Sequence, residues 1–322
     1  MRNGFQRRVS IGARTGGAVL VVLLVAVGCG GRGGRTAAAN QHAVTASTSE
    51  AREPDCASMP CPPPVPADAP HCSWNDDHQI AYEMPRMSQV SVTCDIRYGE
   101  VEGIPMTLDR YLPADARPGD ELPAVIFVHG NDLPDPLHPL LSHWKRWEYT
   151  RGLLAGAMGY VGIAFDYRGY DDAETLGAAQ QDVLDLLSYV EAHAADLMID
   201  PDRMCLFATS GGGIPAAWAA IRGEPRPVCV VMMSATGDAP WAGDHDPTTH
   251  VSSALPPFFF GRGKMDDYSA GNAFIDAARD AGVEVLVEEH PGGHGFENER
   301  DPRQQRIVGD ALAFLSQHLG MP

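Results

Sequence analysis

Met204-Cys205-Leu206-Phe207-Ala208-Thr209-Ser210-Gly211-Gly212-Gly213 decides how this chain is read. An unbroken apolar run leads into a serine, three glycines follow, and a helical pattern opens at Ile214–Ile221. An apolar run of strand length marks a strand buried on both faces. The turn that joins such a strand to a helix is tight. A large side chain on either side of the serine would meet the neighbouring strand or helix, and Ala208 and Gly212 are the smallest available. A glycine-rich turn opening a helix is also common without any chemistry, so the segment takes its meaning from its surroundings.

Outward from it, strand and helix patterns alternate. Val90–Arg97 and Pro105–Leu112 read as adjacent antiparallel strands, followed by Ala124–His129, Val161–Asp166, Met204–Ala208, Val228–Met233, Pro257–Gly261 and Val283–Glu288. Helix patterns fall at Trp144–Ala157, Ala178–Ala194, Ile214–Ile221, Asn272–Ala281 and Arg303–Leu319, and Asp200-Pro201 is expected to stop the second of these. Alternation of this kind predicts an α/β fold: a mostly parallel eight-stranded sheet with helices on both faces. In a doubly wound sheet ligands bind beyond the carboxyl ends of the strands. The connections Asn131–His143 and Ser234–Leu255 should therefore line the pocket, and neither is long enough for a large helical lid.

Three side chains at such strand ends carry chemistry. Ser210 is the candidate nucleophile. His294, in the glycine-flanked loop Pro291-Gly292-Gly293-His294-Gly295, is the candidate base; its rival His290 adjoins the strand and precedes a proline, which suits the base of the loop. Asp266, just past Phe258-Phe259-Phe260-Gly261, is the candidate acid that would orient the histidine, with Asp267 and the more distant Asp238 as alternatives. Gly261-Arg262-Gly263-Lys264 lacks the spacing and the Ser/Thr of a phosphate loop.

The serine turn resembles the nucleophile elbow, G-x-S-x-G, with Ala208 in place of the first glycine, and the order Ser210, Asp266, His294 is that of the α/β hydrolases. The stretch Val90–Leu319 resembles dienelactone-hydrolase-like and acetyl-esterase-like members of that superfamily. Asp166-Tyr167-Arg168, Asp200-Pro201-Asp202-Arg203 and the loop from His290-Pro291 to His294-Gly295-Phe296 add to the likeness. The resemblance implies the α/β-hydrolase fold and ester hydrolysis without metal or organic cofactor. It also implies an oxyanion hole made by the backbone N–H groups of Asn131, after Val125-Ile126-Phe127-Val128-His129-Gly130, and of Gly211. His129 itself would brace the loop. Ser210 departs from true dienelactone hydrolases, which carry cysteine there, and this argues against dienelactone as substrate. The expected activity is that of a serine hydrolase cleaving small, short-chain carboxylic esters through an acyl-enzyme. A prolyl-oligopeptidase-type peptidase would need a propeller domain, for which residues 30–89 are too few; an acyltransferase is the other enzymatic alternative. A catalytically inactive binding protein on the same fold would not need all three residues.

The ends and the composition set the context. Arg2, Arg7, Arg8 and Arg14 precede an apolar run, Ala18–Val27, that is too short to span a bilayer comfortably. The junction Val27-Gly28-Cys29-Gly30 resembles a bacterial lipobox, with Ala26 where that motif usually has leucine. Residues 1–28 are thus expected to be a lipoprotein-type signal peptide and 29–75 a Pro/Gly-rich tether. The catalytic domain would then cover 76–322, with export to a bacterial cell envelope and membrane attachment only through lipid on Cys29. In an oxidising compartment Cys56, Cys61, Cys72 and Cys94 should form at least one disulfide, whereas Cys205 and Cys229, inside apolar runs, read as buried free thiols. The net charge of −18 excludes a nucleic-acid partner, since phosphate binding needs a basic face. His138 and His143 lack the glutamate of a metalloprotease helix, and Asp244-His245-Asp246 with His250 reads as a solvated acidic loop rather than a cation site.

Overall fold

The apolar runs serve two cores at once. Along Leu122–Val128, Ala124, Ile126 and Val128 enter one buried cluster while Val125 and Phe127 enter the other. Met204, Leu206 and Ala208 alternate in the same way with Cys205 and Phe207, and Phe258 and Phe260 with Phe259. Successive side chains of a strand point to opposite faces, so a strand covered on both sides shows no polar alternation in its sequence. Each fully buried phenylalanine contributes roughly 1.5–3 kcal/mol.

The computed structural model describes residues 80–131, 141, 142, 144–266 and 272–320. The expectations for the signal peptide, the tether, Cys29, Cys56, Cys61, Cys72, His138, His143 and Asp267 lie outside the described residues. In chain order the elements are β1 (Ser91–Val101), β2 (Ile104–Leu112), β3 (Leu122–Val128), β4 (Leu141–Ser142), α1 (Tyr149–Ala157), β5 (Val161–Phe165), β6 (Tyr167–Arg168), α2 (Ala173–Ala192) and α3 (Ala194–Leu197). They continue with β7 (Ile199–Thr209), α4 (Gly213–Arg222), β8 (Cys229–Met233), β9 (Phe258–Gly263), α5 (Asn272–Asp280), β10 (Val285–His290) and α6 (Pro302–Leu319). Eight strands form one sheet in the order β1-β2-β5-β3-β7-β8-β9-β10, in which β2 alone runs against the rest. β4 and β6 pair separately. α2, α4 and α5 bury their apolar sides in one cluster, α1 and α6 in the other. β5 and β7 flank β3, so the strand order reverses there, and the crevice beyond the carboxyl ends of β3 and β7 is where a doubly wound sheet places its ligand.

Local chemistry sets the element ends. α2 starts at Ala173, earlier than its apolar periodicity suggested, because Asp172 and Thr175 cap it reciprocally: the Asp172 side chain accepts from Thr175 N at 2.8 Å and Thr175 Oγ1 accepts from Asp172 N at 3.1 Å. α6 opens on Asp301, which accepts from Arg303 N and Gln304 N, with Pro302 in its first turn. Asp200-Pro201 does not terminate a helix. α3 has already ended, and β7 takes the pair in at a register irregularity against β3, where a missing donor is tolerated. The β8–β9 connection holds two short 3-10 turns, Gly243–His245 and Pro247–His250. Among the described residues no helix is long and apolar enough to cross a membrane.

The reading of Cys205 and Cys229 as free thiols is overturned: they form a disulfide, with Cα atoms 4.7 Å apart. The two residues are in register on adjacent parallel strands, and both point into the same core cluster. Neighbouring strands lie about 4.8 Å apart, within the range a disulfide spans. Cys94 is also disulfide-bonded, to a partner outside the described residues.

Candidate active site

β7 delivers Ser210 in a conformation that few serines adopt, with φ at 51°. A non-glycine residue in the left-handed region costs on the order of 1–3 kcal/mol and persists only where packing enforces it. The enforcement is visible at Gly212, where a Cβ would stand 2.2 Å from the carbonyl oxygen of His129 and 2.3 Å from that of Val128. The end of β3 presses directly on the turn, so the serine is held at the crest between strand and helix.

The histidine arrives from the far edge of the sheet. The β9–β10 pairing continues past the strands through Lys264 N to His290 O at 2.8 Å and Met265 N to Gly292 O at 3.0 Å. A Cβ on Gly263 would lie 2.4 Å from Gly293 O, so only glycine lets the two segments close. That closure sets buried Asp266 beside His294. The ring Nδ1 lies 2.9 Å from Asp266 Oδ2 and Nε2 lies 3.0 Å from Ser210 Oγ. With a carboxylate against Nδ1 the ring proton sits there, and Nε2 is left to accept from the serine hydroxyl. The structure thus brings the three residues singled out from the sequence into one chain of contacts. Asp238 is elsewhere, hydrogen-bonded to the Thr236 hydroxyl.

Asn131 and Gly211 are tied together by a residue that sequence reasoning missed. Asn131 Nδ2 donates to Tyr170 O at 2.7 Å and Tyr170 N donates to Asn131 Oδ1 at 3.0 Å, while the Tyr170 hydroxyl donates to Gly211 O at 2.6 Å. Burial pushes the Tyr170 phenol well above its ordinary pKa, which keeps it a neutral donor. A Cβ on Gly211 would lie 3.0 Å from Asn131 N, which measures how closely the two backbones approach. His129 is fully buried; its ring stacks on Tyr167 at 4.3 Å, and the Tyr167 hydroxyl donates to His129 O at 2.7 Å, bracing the loop.

Residues 108–228 match the BD-FAE family description. No curated protein matches the chain. Among solved structures, it is similar to the native form of a thermophilic esterase, Est2, from the planctomycete Thermogutta terrifontis. That likeness has a TM-score of 0.57 at 20% identity and covers 72% of this chain and 94% of that one. The butyrate-bound form of that esterase gives 0.59 at 20% identity over 72% and 95%. The form phosphorylated by paraoxon gives 0.58 at 21% identity over 73% and 95%. The chain has the α/β-hydrolase fold.

Within this α/β-hydrolase fold the remaining candidates are structural. His290 Nδ1 accepts from Gly292 N at 2.9 Å, which leaves the ring proton on Nε2, 2.8 Å from Asp301 Oδ2. Its ring stacks on Phe296 at 4.9 Å. Among the described residues, His290, Glu299 and Asp301 are close enough to gather round a cation, but with both nitrogens of His290 committed the ring has no lone pair to offer. Asp246 accepts from Ala239 N and Thr248 N. His245 Nδ1 meets Gln180 Oε1 at 3.0 Å, and His250 Nε2 meets Asp244 O at 2.9 Å. These bonds fasten the β8–β9 connection to itself and to α2.

Proposed function

We propose that the protein is a serine hydrolase of carboxylic esters acting through an acyl-enzyme. The observation that carries this reading is the single ring of His294 lying between Ser210 Oγ at 3.0 Å and Asp266 Oδ2 at 2.9 Å. Ser210 Oγ attacks the ester carbonyl carbon while Nε2 takes its proton. Collapse of the tetrahedral intermediate expels the alcohol, which receives that proton from Nε2, and leaves the acyl group on Oγ. Water repeats the sequence, losing a proton to Nε2, and the carboxylic acid departs with Oγ reprotonated. Asp266 remains ionised and stabilises the imidazolium. The amides of Asn131 and Gly211 face the developing oxyanion, each worth roughly 3–4 kcal/mol. Analogy supports the same chemistry: the similar Thermogutta esterase has forms bound to butyrate and phosphorylated by paraoxon.

Short acyl chains suit this site. The β8–β9 connection contributes only short turns, and Trp241 and Met265 are exposed, Met265 next to Asp266. Among the described residues, connections this short offer little apolar wall to a long chain. Hydrolysis of p-nitrophenyl esters from acetate to decanoate by the wild-type protein and by Ser210→Ala tests the reading. We expect Ser210-dependent turnover that is fastest on acetate or butyrate. Preference for chains beyond C10 would contradict the short-chain assignment, and unchanged turnover in Ser210→Ala would contradict the mechanism.

Export and lipid attachment at Cys29 belong to the same proposal. They are supported by the basic n-region, the apolar run and the Gly28-Cys29 junction. Mass spectrometry of the native N-terminus should find a diacylglyceryl-modified Cys29; an unmodified cysteine there would remove the anchor.

A further inference from the structure

Behind the elbow lies a buried charged network that takes no part in the acyl transfer. Glu148, directly before α1, Arg151 within α1, and Glu297, after the histidine loop, are each 4% exposed or less. Arg151 Nη1 lies 3.2 Å from Glu148 Oε2, and its Nη2 lies 3.4 Å from Glu297 Oε1. Each carboxylate then reaches on. Thr209 Oγ1 donates to Glu148 Oε1 at 3.2 Å. Ser234 Oγ donates to Glu297 Oε2 at 3.0 Å and accepts from Gly295 N at 3.1 Å. Thr209 is the residue before Ser210, and Gly295 is the residue after His294.

We propose that Glu148, Arg151 and Glu297 are positioning residues: a buried strut, anchored through Thr209 and Ser234, that sets the distance between Ser210 and His294. The inference rests on the triad reading above. The elbow and the histidine loop follow β7 and β10, between which β8 and β9 intervene, so the sheet itself does not place them side by side. A guanidinium is planar and rigid and holds two carboxylates at fixed angles, which an apolar filling of the same volume does not. Ser234 is itself constrained. Its φ is 47°, and its amide donates to Gly261 O at 2.8 Å, so its hydroxyl is aimed by the backbone. Burial holds the Glu148 carboxyl above its usual range, and Arg151 and the Thr209 hydroxyl offset part of that rise. Proton transfer between Oγ and Nε2 is steep in distance, whereas binding of a small ester is not. A slack strut therefore lowers kcat and leaves KM in place.

The ends of the strut can be cut without removing a charge. Thr209→Val keeps the shape of the side chain and loses the bond to Glu148; Ser234→Ala loses the bonds to Glu297 and Gly295. On p-nitrophenyl acetate, with active sites counted by fluorophosphonate titration, each variant should lower kcat about tenfold with KM within about twofold. The double variant should be little worse than the worse single one, and Thr209→Ser should restore most of the rate. Full kcat per titrated site in both single variants would overturn the strut. So would losses that multiply in the double variant, with Thr209→Ser no better than Thr209→Val. A wild-type protein without Ser210-dependent turnover would overturn the triad reading and the strut together; a Ser210-dependent enzyme indifferent to both cuts would overturn the strut alone.

Discussion

His290, the last residue of β10, and His294, in the loop that follows it, put their rings to opposite uses. At the base, His290 is buried against Phe296, with one nitrogen on a backbone amide of its own loop and the other on Asp301. At the tip, His294 is 39% exposed in its side chain, and its nitrogens face two side chains carried by other strands, Asp266 and Ser210. The base histidine ties the loop to itself, and the tip histidine joins Asp266 to Ser210. The residue type is the same; what differs is whether each nitrogen meets a neighbour in the loop or a group brought from elsewhere in the sheet.

The tip should respond to substitution in activity and the base in stability. His294→Ala and Ser210→Ala should each lower kcat by about 10³-fold or more, with the double variant little worse than either, since the residues act as a unit. Losses that multiply would mean that the two do not share one step. Asp266→Asn should fold normally and lose on the order of 10²–10⁴ in kcat, because an amide opposite Nδ1 leaves the wrong tautomer in place. An active Asp266→Asn would move the acid to another carboxylate. At the base, His290→Ala leaves Gly292 N and Asp301 without their partner. It should cost about 1–3 kcal/mol in urea unfolding, while kcat per titrated active site stays within about threefold. A kcat loss as large as that of His294→Ala would erase the distinction between base and tip.

The smallest expected effect is on acid stability. Asp301 is held below the usual carboxylate range by the amide of Gln304, with the His290 ring and the amide of Arg303 contributing. A depressed carboxyl stabilises the fold above its unfolded pKa of about 3.9 and loses that contribution as pH falls through its lower folded value. Asp301→Asn should flatten the unfolding curve below about pH 4 and leave kcat alone. The carboxylate is half-buried and partly open to solvent, so the change is small; a variant whose acid limb matches the wild type would remove Asp301 from the account.

The parts of this molecule that were legible in the sequence are those written in one strand and the turn behind it. Ser210, Asp266 and His294 each follow an apolar run, and a mostly parallel sheet brings such ends to one edge whatever the side-chain detail. β3, β5, β7, β8 and β9 were readable for the same reason. Pairings set by register were not. Cys205 and Cys229 sit in separate apolar runs, and nothing in either run says that β7 and β8 bring them level. Tyr170 meets Asn131 and Gly211 only because β3, β5 and β7 are neighbours. Arg151 joins Glu148 to Glu297, 146 residues beyond the arginine, across a fold that had first to be known. One missed signal was local: Asp172 followed by Thr175 is a capping pair that fixes the start of α2.

The central claim is that Ser210 is an activated nucleophile because His294 and Asp266 stand behind it. A fluorophosphonate probe followed by peptide mapping tests this most directly. The account predicts a single phosphonyl adduct on Ser210, formed rapidly in the wild-type protein and at least about a hundredfold more slowly in His294→Ala. An adduct on another residue, or equal labelling of Ser210 with and without His294, would contradict it.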